Sequence, residues 1–233
     1  AGDIYDNPMH LIPKYADKHN LQVFYDSIYT RLSNKIGDKL ILFEPVTWDM
    51  FGTGFDHPPG NDHTKGVLSY HCYFPPNLSV KQLFDAMMKD INRLNIGGFL
   101  TEMGSTNVLD VFNHTDKYFQ SWTIWSYKRY SGITGDGSVF FNKNGTNAST
   151  RWYLNRSYPR AICGRGTYFD FNTTTNSFVL IYENNPNCRE KTEIYINKNM
   201  NVTVIPDTKL SIIEKVVYIT PHDLNGTIYV SGI

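Results

Sequence analysis

Gly98-Phe99-Leu100-Thr101-Glu102-Met103-Gly104 is a short apolar run that stops on a carboxylate and a glycine. Buried strands of parallel barrels end this way when the final side chain is aimed into a site at the carboxyl end of the barrel. Three similar runs flank it: Ile41 to Trp48 (ILFEPVTW), Gly66 to Tyr73 (GVLSYHCY) and Ser121 to Lys128 (SWTIWSYK). Each ends in polar or aromatic residues, where a (β/α)8 barrel carries its chemistry. Four such strands make half a barrel.

The segments between them read as the connections a parallel sheet requires. Leu21, Phe24, Ile28, Leu32 and Ile36 recur at helical spacing behind an Asn20 cap, and Gly37 closes the helix. Ser79-Val80-Lys81-Gln82 has the pattern of a capping box and opens a helix through Leu94, linking the second run to the third as a βαβ unit. A shorter helix is predicted over Val108 to Phe119, and Ala148 to Leu154 reads as a last barrel helix. Asp49 to Lys65 holds Gly52, Gly54, Pro58, Pro59 and Gly60 and reads as a long loop, a common place for function. From Tyr158 the pattern changes to short alternating strands at 166–171, 177–183, 193–197, 201–205, 212–220 and 227–230, spaced as in a β-sandwich. The expected architecture is therefore α/β plus all-β: half of a TIM barrel over 1–157, which the resemblance described below makes the C-terminal half, then a small β-sandwich over 158–233.

Composition narrows the function classes. Lysine plus arginine equals aspartate plus glutamate at 22 each, so there is no basic excess for nucleic acid. No apolar run approaches the roughly 20 residues of a membrane-spanning helix. Histidines and cysteines lack recognised metal-ligand spacing, phosphate-cradling glycine motifs are absent, and no cofactor is expected. Of three cysteines, Cys163 and Cys188 can bridge, while Cys72 on a strand reads as a buried thiol outside that pair.

The order His-x-Tyr, Thr-Glu-x-Gly, Trp-Ser-x-x-Lys resembles the closing half of the clan A, family 5 glycoside hydrolases. Within them, Phe43–Trp48 (FEPVTW), Ser69–Tyr73 (SYHCY) and Tyr158–Gly164 (YPRAICG) resemble endoglycoceramidases, which cleave oligosaccharide from the ceramide of glycosphingolipids. The resemblance runs from Gly2-Asp3-Ile4-Tyr5 to the C-terminal β-rich part and also implies the sandwich. It implies as well a glycolipid or other β-glycoside as substrate and passing contact with a membrane or micelle surface.

Site residues follow from that resemblance. Glu102 is the expected nucleophile of a retaining glycosidase, which pairs an attacking carboxylate with a proton-donating one. His71 and Tyr73, two apart and so on one face of a strand, are expected to line the site, with Tyr73 hydrogen-bonded to the nucleophile. Trp125 is the expected sugar platform and Lys128 a partner for sugar hydroxyls; Trp122, of opposite parity, reads as core. Glu44 imitates half of the Asn-Glu-Pro motif that carries the family's general acid, but Phe43 stands where Asn would, so Glu44 is expected to contact substrate or support the site. No Asn-Glu-Pro occurs in the 233 residues. The chain is accordingly expected to begin just after the catalytic acid, and to be inactive by itself. Met50, Phe51 and Phe55 are candidates for touching a lipid tail. The competing expectations are a non-catalytic secreted glycan- or lipid-binding glycoprotein and a hydrolase of some other β-glucoside.

Eight Asn-x-Ser/Thr sequons begin at Asn77, Asn113, Asn144, Asn147, Asn155, Asn172, Asn201 and Asn225. With 22 asparagines and 34 serines and threonines, about three would arise by chance. The excess points to the secretory route, with a secreted or lysosomal and digestive destination. Treating the native protein with peptide-N-glycosidase should therefore lower its mass at several sites; unchanged mobility would contradict the secretory reading.

Overall fold

The apolar runs around Glu102 form one parallel sheet. The computed structural model describes residues 7–46, 51–73, 79–104, 107–130, 139–220 and 226–233. The chain divides into two units, Ala1–Lys143 and Asn144–Ile233. In the first, β1 (Ile41–Phe43), β2 (Gly66–Cys72), β3 (Gly97–Met103) and β4 (Ser121–Trp122) pair in chain order, every pair parallel. Parallel neighbours need a crossover, and α2 (Val80–Leu94) supplies one from β2 to β3 while α3 (Val108–Lys117) supplies the next. All four strands therefore present their carboxyl ends along one edge.

The crossover helices carry the stripes read from the sequence. Ser79 accepts the Gln82 backbone N–H and so caps α2, and Asn95 ends it in the left-handed conformation at φ 51°. Leu83, Phe84, Met87, Ile91 and Leu94 are buried with Leu68 and Tyr70 of β2 and Leu100 of β3. Gly98 has no side chain because a Cβ there would collide with Ile91 and Gln120. In α3, Val108, Val111 and Phe112 are buried, and Trp122 packs on Phe112 with ring centroids 4.7 Å apart.

The first helix departs from expectation. A π-turn over Asp17–Leu21 runs without a break into α1 (Gln22–Leu32), so Asn20 lies within the helical stretch and caps nothing. Bonds of the i→i+5 kind bring residues five apart to one face, and here that face holds Asp17 and Gln22, both buried. Phe24 and Leu32, read as core, are instead exposed. The predicted strand over 41–48 also stops early, at Phe43. Pro45 has no N–H for a ladder, the Glu44 N–H is taken by the Tyr25 hydroxyl, and residues 47–50 lie outside the described residues. Likewise β4 keeps only two residues of the run over 121–128. Phe55, considered above for a lipid tail, is a core residue packed against Phe43 and Tyr25, with centroids 5.0 and 5.8 Å away. Phe51 remains exposed, and Met50 lies outside the described residues.

The second unit is a β-sandwich of two four-stranded antiparallel sheets. One orders β10 (Leu210–Ile213), β11 (Val216–Ile219), β8 (Thr192–Tyr195) and β5 (Tyr158–Ala161); the other orders β6 (Gly164–Asn172), β7 (Ser177–Asn184), β12 (Thr227–Gly232) and β9 (Val202–Ile205). Alternate residues fill the space between them: Phe169, Phe171, Phe178, Leu180, Tyr182, Ile228 and Val230 from the second sheet, Ile194, Val217 and Ile219 from the first. Two strands differ from the sequence reading. The run over 212–220 is a hairpin, turned at Glu214 with φ 55° and Lys215. β5 carries Pro159, which is tolerated because β5 lies at a sheet edge. The helix expected over 148–154 is a single turn, Arg151–Leu154, and belongs to this unit. Cys163, buried, is bridged to Cys188 across 25 residues with Cα atoms 5.7 Å apart. Cys72 is buried on β2 and takes no part in a disulfide.

Candidate functional site

Three of the parallel strands deliver ionisable side chains to the same edge: Glu44 just past β1, His71 and Tyr73 at the end of β2, and Glu102 near the end of β3. What brings Glu102 there is an irregularity. The β2–β3 register pairs Tyr70 with Leu100 but His71 with Glu102, skipping Thr101. Strict alternation from the buried Leu100 would have aimed Glu102 at the helices. The extra residue reverses the phase, so Thr101 and Glu102 are both only partly buried while Leu100 and Met103, three apart, are both buried. The bulge satisfies its own polar groups. The Thr101 carbonyl accepts the Thr123 hydroxyl, and the Thr101 and Ser69 hydroxyls lie 2.6 Å apart.

Around Glu102 the contacts are short. The Tyr73 hydroxyl donates to Glu102 Oε1 at 2.5 Å. His71 Nε2 lies 3.4 Å from Glu102 Oε2 and 3.0 Å from Glu44 Oε1. One imidazole nitrogen thus stands between two carboxylates. Side chains of Glu44, His71 and Glu102 are 37%, 34% and 29% exposed, so solvent or a ligand reaches all three. Burial raises the Glu44 carboxyl above its ordinary value, with a smaller push from the Glu102 charge, against opposing help from His71 and the Ser69 hydroxyl. Burial together with the hydrogen bond and charge of Glu102 pushes the Tyr73 phenol far up, which keeps it a donor at any physiological pH.

Gly104 explains the end of the TEMG run. A Cβ there would lie 3.1 Å from the Trp125 carbonyl oxygen and 3.2 Å from the Tyr73 ring. Its absence lets Trp125 come alongside, where the Trp125 N–H donates to the Met103 carbonyl at 2.8 Å. The Trp125 side chain is 42% exposed. Lys128 has its backbone bridged to Phe141 and its ammonium 6.0 Å over the Tyr130 ring. Of the sequence candidates, then, Glu44, His71, Tyr73 and Glu102 form one hydrogen-bonded cluster, and Trp125 adjoins Gly104.

Residues not singled out in the sequence hold this cluster from behind. The buried Asp17 carboxylate accepts backbone N–H groups from Val46 at 2.8 Å and Gly54 at 2.9 Å, tying together both ends of the segment that follows β1. Asp90, buried on α2, accepts the Thr53 N–H at 2.6 Å and pairs with Arg93, which also donates to the Phe55 carbonyl. Gln22 accepts the Asp56 N–H. The long loop is thus pinned to two helices. Gln22, Tyr25, Asp26 and Tyr29 form a polar and aromatic stripe at helical spacing, beside the apolar one, and that stripe is the sequence signal for this packing.

Comparison with known proteins places this geometry. Residues 156–230 match the family described as Glycoside hydrolase family 5 C-terminal domain. The chain is 37% identical over 210 residues to an endoglycoceramidase of Hydra vulgaris, covering 86% of this chain and 41% of the relative. It is 36% identical over 229 residues to an endoglycoceramidase of Cyanea nozakii, covering 88% of this chain and 45% of the relative. Its structure is similar to that of endo-glycoceramidase II from Rhodococcus sp., solved as a lactosyl-enzyme intermediate and as a ganglioside GM3 complex. For the GM3 complex the TM-score is 0.78 at 15% identity, over 96% of this chain and 56% of that one. At that identity the likeness is one of fold, and it bears out a partial TIM barrel followed by a β-sandwich. The resemblance to endoglycoceramidases of family 5 is borne out over most of the chain. The chain spans under half the length of the two curated relatives.

Two carboxyls of the first unit set a pH dependence. Glu44 is held above its ordinary value, and burial likewise raises Asp17 despite its hydrogen bonds to Val46 and Gly54. These two groups therefore bind more protons in the folded than in the unfolded protein from about pH 4 upward, and the stability they contribute falls as pH rises through that range. Asp62, exposed and held at about 2 by the Thr64 and Tyr29 hydroxyls, works in the opposite sense and only at lower pH. Thermal melting should give a higher midpoint at pH 5 than at pH 7.5, and Asp17→Asn with Glu44→Gln should flatten that slope. A midpoint rising with pH over this range would contradict the assignment.

Proposed function

We propose that this chain, which resembles endoglycoceramidases of glycoside hydrolase family 5 over most of its length, supplies the nucleophile of a retaining glycosidase. Its substrate is a glycosphingolipid, cut at the β-glycosidic bond between oligosaccharide and ceramide. The observation that carries the reading is the setting of Glu102: a carboxylate turned out of its strand by a bulge, fixed on one oxygen by Tyr73 and faced on the other by His71. A group held this way attacks an anomeric carbon without first reorganising. The Tyr73 donor favours the ionised form that attack requires. Trp125, whose ring is partly open to solvent, offers a face against which the apolar side of a pyranose can stack.

A retaining glycosidase also needs a general acid, roughly 5–5.5 Å from the nucleophile. We assign that role to a residue carried by the remaining length that the relatives possess, so that catalysis belongs to a full-length enzyme. The Rhodococcus enzyme, solved as a lactosyl-enzyme intermediate and as a ganglioside GM3 complex, supports both the covalent route and the glycolipid class. Ceramide resides in bilayers and micelles, so the enzyme meets such surfaces in passing. The secretory assignment is supported by exposure: Asn113, Asn144, Asn147, Asn155, Asn172 and Asn201 all face solvent, as attached glycans require. Asn77 and Asn225 lie outside the described residues.

In the full-length enzyme, Glu102→Gln should lower turnover of ganglioside by more than about a thousandfold while leaving its binding nearly intact, because the amide keeps the shape but cannot attack. Activity within tenfold of the parent would refute the nucleophile. Turnover of cello-oligosaccharide in place of ganglioside by the parent would redirect the substrate class and leave the nucleophile standing.

A further inference from the structure

Glu44 is expected either to contact substrate or to support the site, and its carboxylate is engaged within the protein. Oε1 lies 3.0 Å from His71 Nε2, and the Ser69 hydroxyl is a second partner. An imidazole nitrogen carries one hydrogen or one lone pair, so Nε2 makes its good bond to the nearer Glu44 and only a long one, 3.4 Å, to Glu102. The backbone that bears Glu44 is fixed as well. Its own N–H goes to the Tyr25 hydroxyl at 3.1 Å, and the N–H two residues on goes to the buried Asp17. This is the arrangement expected where one side chain sets the orientation of another.

We propose that Glu44 is a positioning residue: it orients His71 beside Glu102, and it does not touch the sugar. This rests on Glu102 being the nucleophile. The groups that face Glu44 are His71 and Ser69 from β2, Glu102 from β3 and Tyr25 from α1, while Tyr73 faces Glu102 from its other side. Burial raises the Glu44 carboxyl above its ordinary value, and the His71 imidazole beside it opposes that rise. In its ionised form Glu44 places a negative charge beside Glu102, and like charges oppose ionisation.

The test compares Glu44→Gln with the parent in the full-length enzyme acting on ganglioside GM3 micelles. The acid limb of kcat/KM should move to lower pH by about half a unit to one unit, kcat should fall about three- to tenfold, and KM should stay within twofold. A tenfold rise in KM with an unmoved acid limb would overturn the proposal and make Glu44 a substrate contact. A Glu102→Gln variant measured alongside separates the two readings: if it keeps turnover, the nucleophile assignment falls and this proposal with it. A second measurement does not need activity. In 15N-labelled protein, the ring signals of His71, identified by their loss in His71→Gln, should shift in Glu44→Gln and hold still in Glu190→Gln. Signals unmoved by Glu44→Gln would overturn the proposal.

Discussion

The site depends on one extra residue in one strand. Without the bulge at Thr101, the alternation that buries Leu100 would bury Glu102 on the same face, among Leu83, Phe84 and Met87. An ionised carboxylate there would be unpaired in an apolar core, at a cost far above any gain from packing. The bulge moves it to the open edge and costs little, because Thr123 takes the stray carbonyl and Ser69 meets the stray hydroxyl. Parallel sheets seldom contain bulges, so its position beside the catalytic candidate is itself informative.

The surrounding parts each remove a freedom that the carboxylate would otherwise have. Tyr73 fixes one oxygen, and the missing Cβ of Gly104 lets the Tyr73 ring and the Trp125 backbone close in together. Behind them, Asp17 and Asp90 hold the segment after β1 by its backbone N–H groups, burying two carboxylates to do so. Buried charge is weak evidence for stability. Here it fixes the course of the loop and the backbone that bears Glu44.

Much of this was legible in the sequence because strand ends and helix stripes are short-range signals. The parallel runs, α2 with its Ser79 cap, the disulfide partners and the cluster of His71, Tyr73, Glu44 and Glu102 could all be named from local pattern and resemblance. What escaped notice depended on partners distant in sequence. The bulge is invisible in Leu-Thr-Glu-Met, since it exists only in the register with β2. The inward face of the π-turn and the start of α1 is polar because Asp17 and Gln22 bond to loop residues more than 25 positions away. The hairpin at Glu214 turns on two residues that carry no turn signal, so β10 and β11 read as one strand. β5 gives little strand signal because it carries Pro159, which a sheet admits only at places such as the edge that β5 occupies.

The central claim is that Glu102 forms the covalent bond to the sugar. The direct measurement is to trap the full-length enzyme with a 2-deoxy-2-fluoro lactoside, digest it and sequence the labelled peptide by mass spectrometry. The account predicts one lactosyl-derived adduct per molecule, on Glu102. A stable adduct on Glu44, or on any other side chain with Glu102 unmodified, would contradict it.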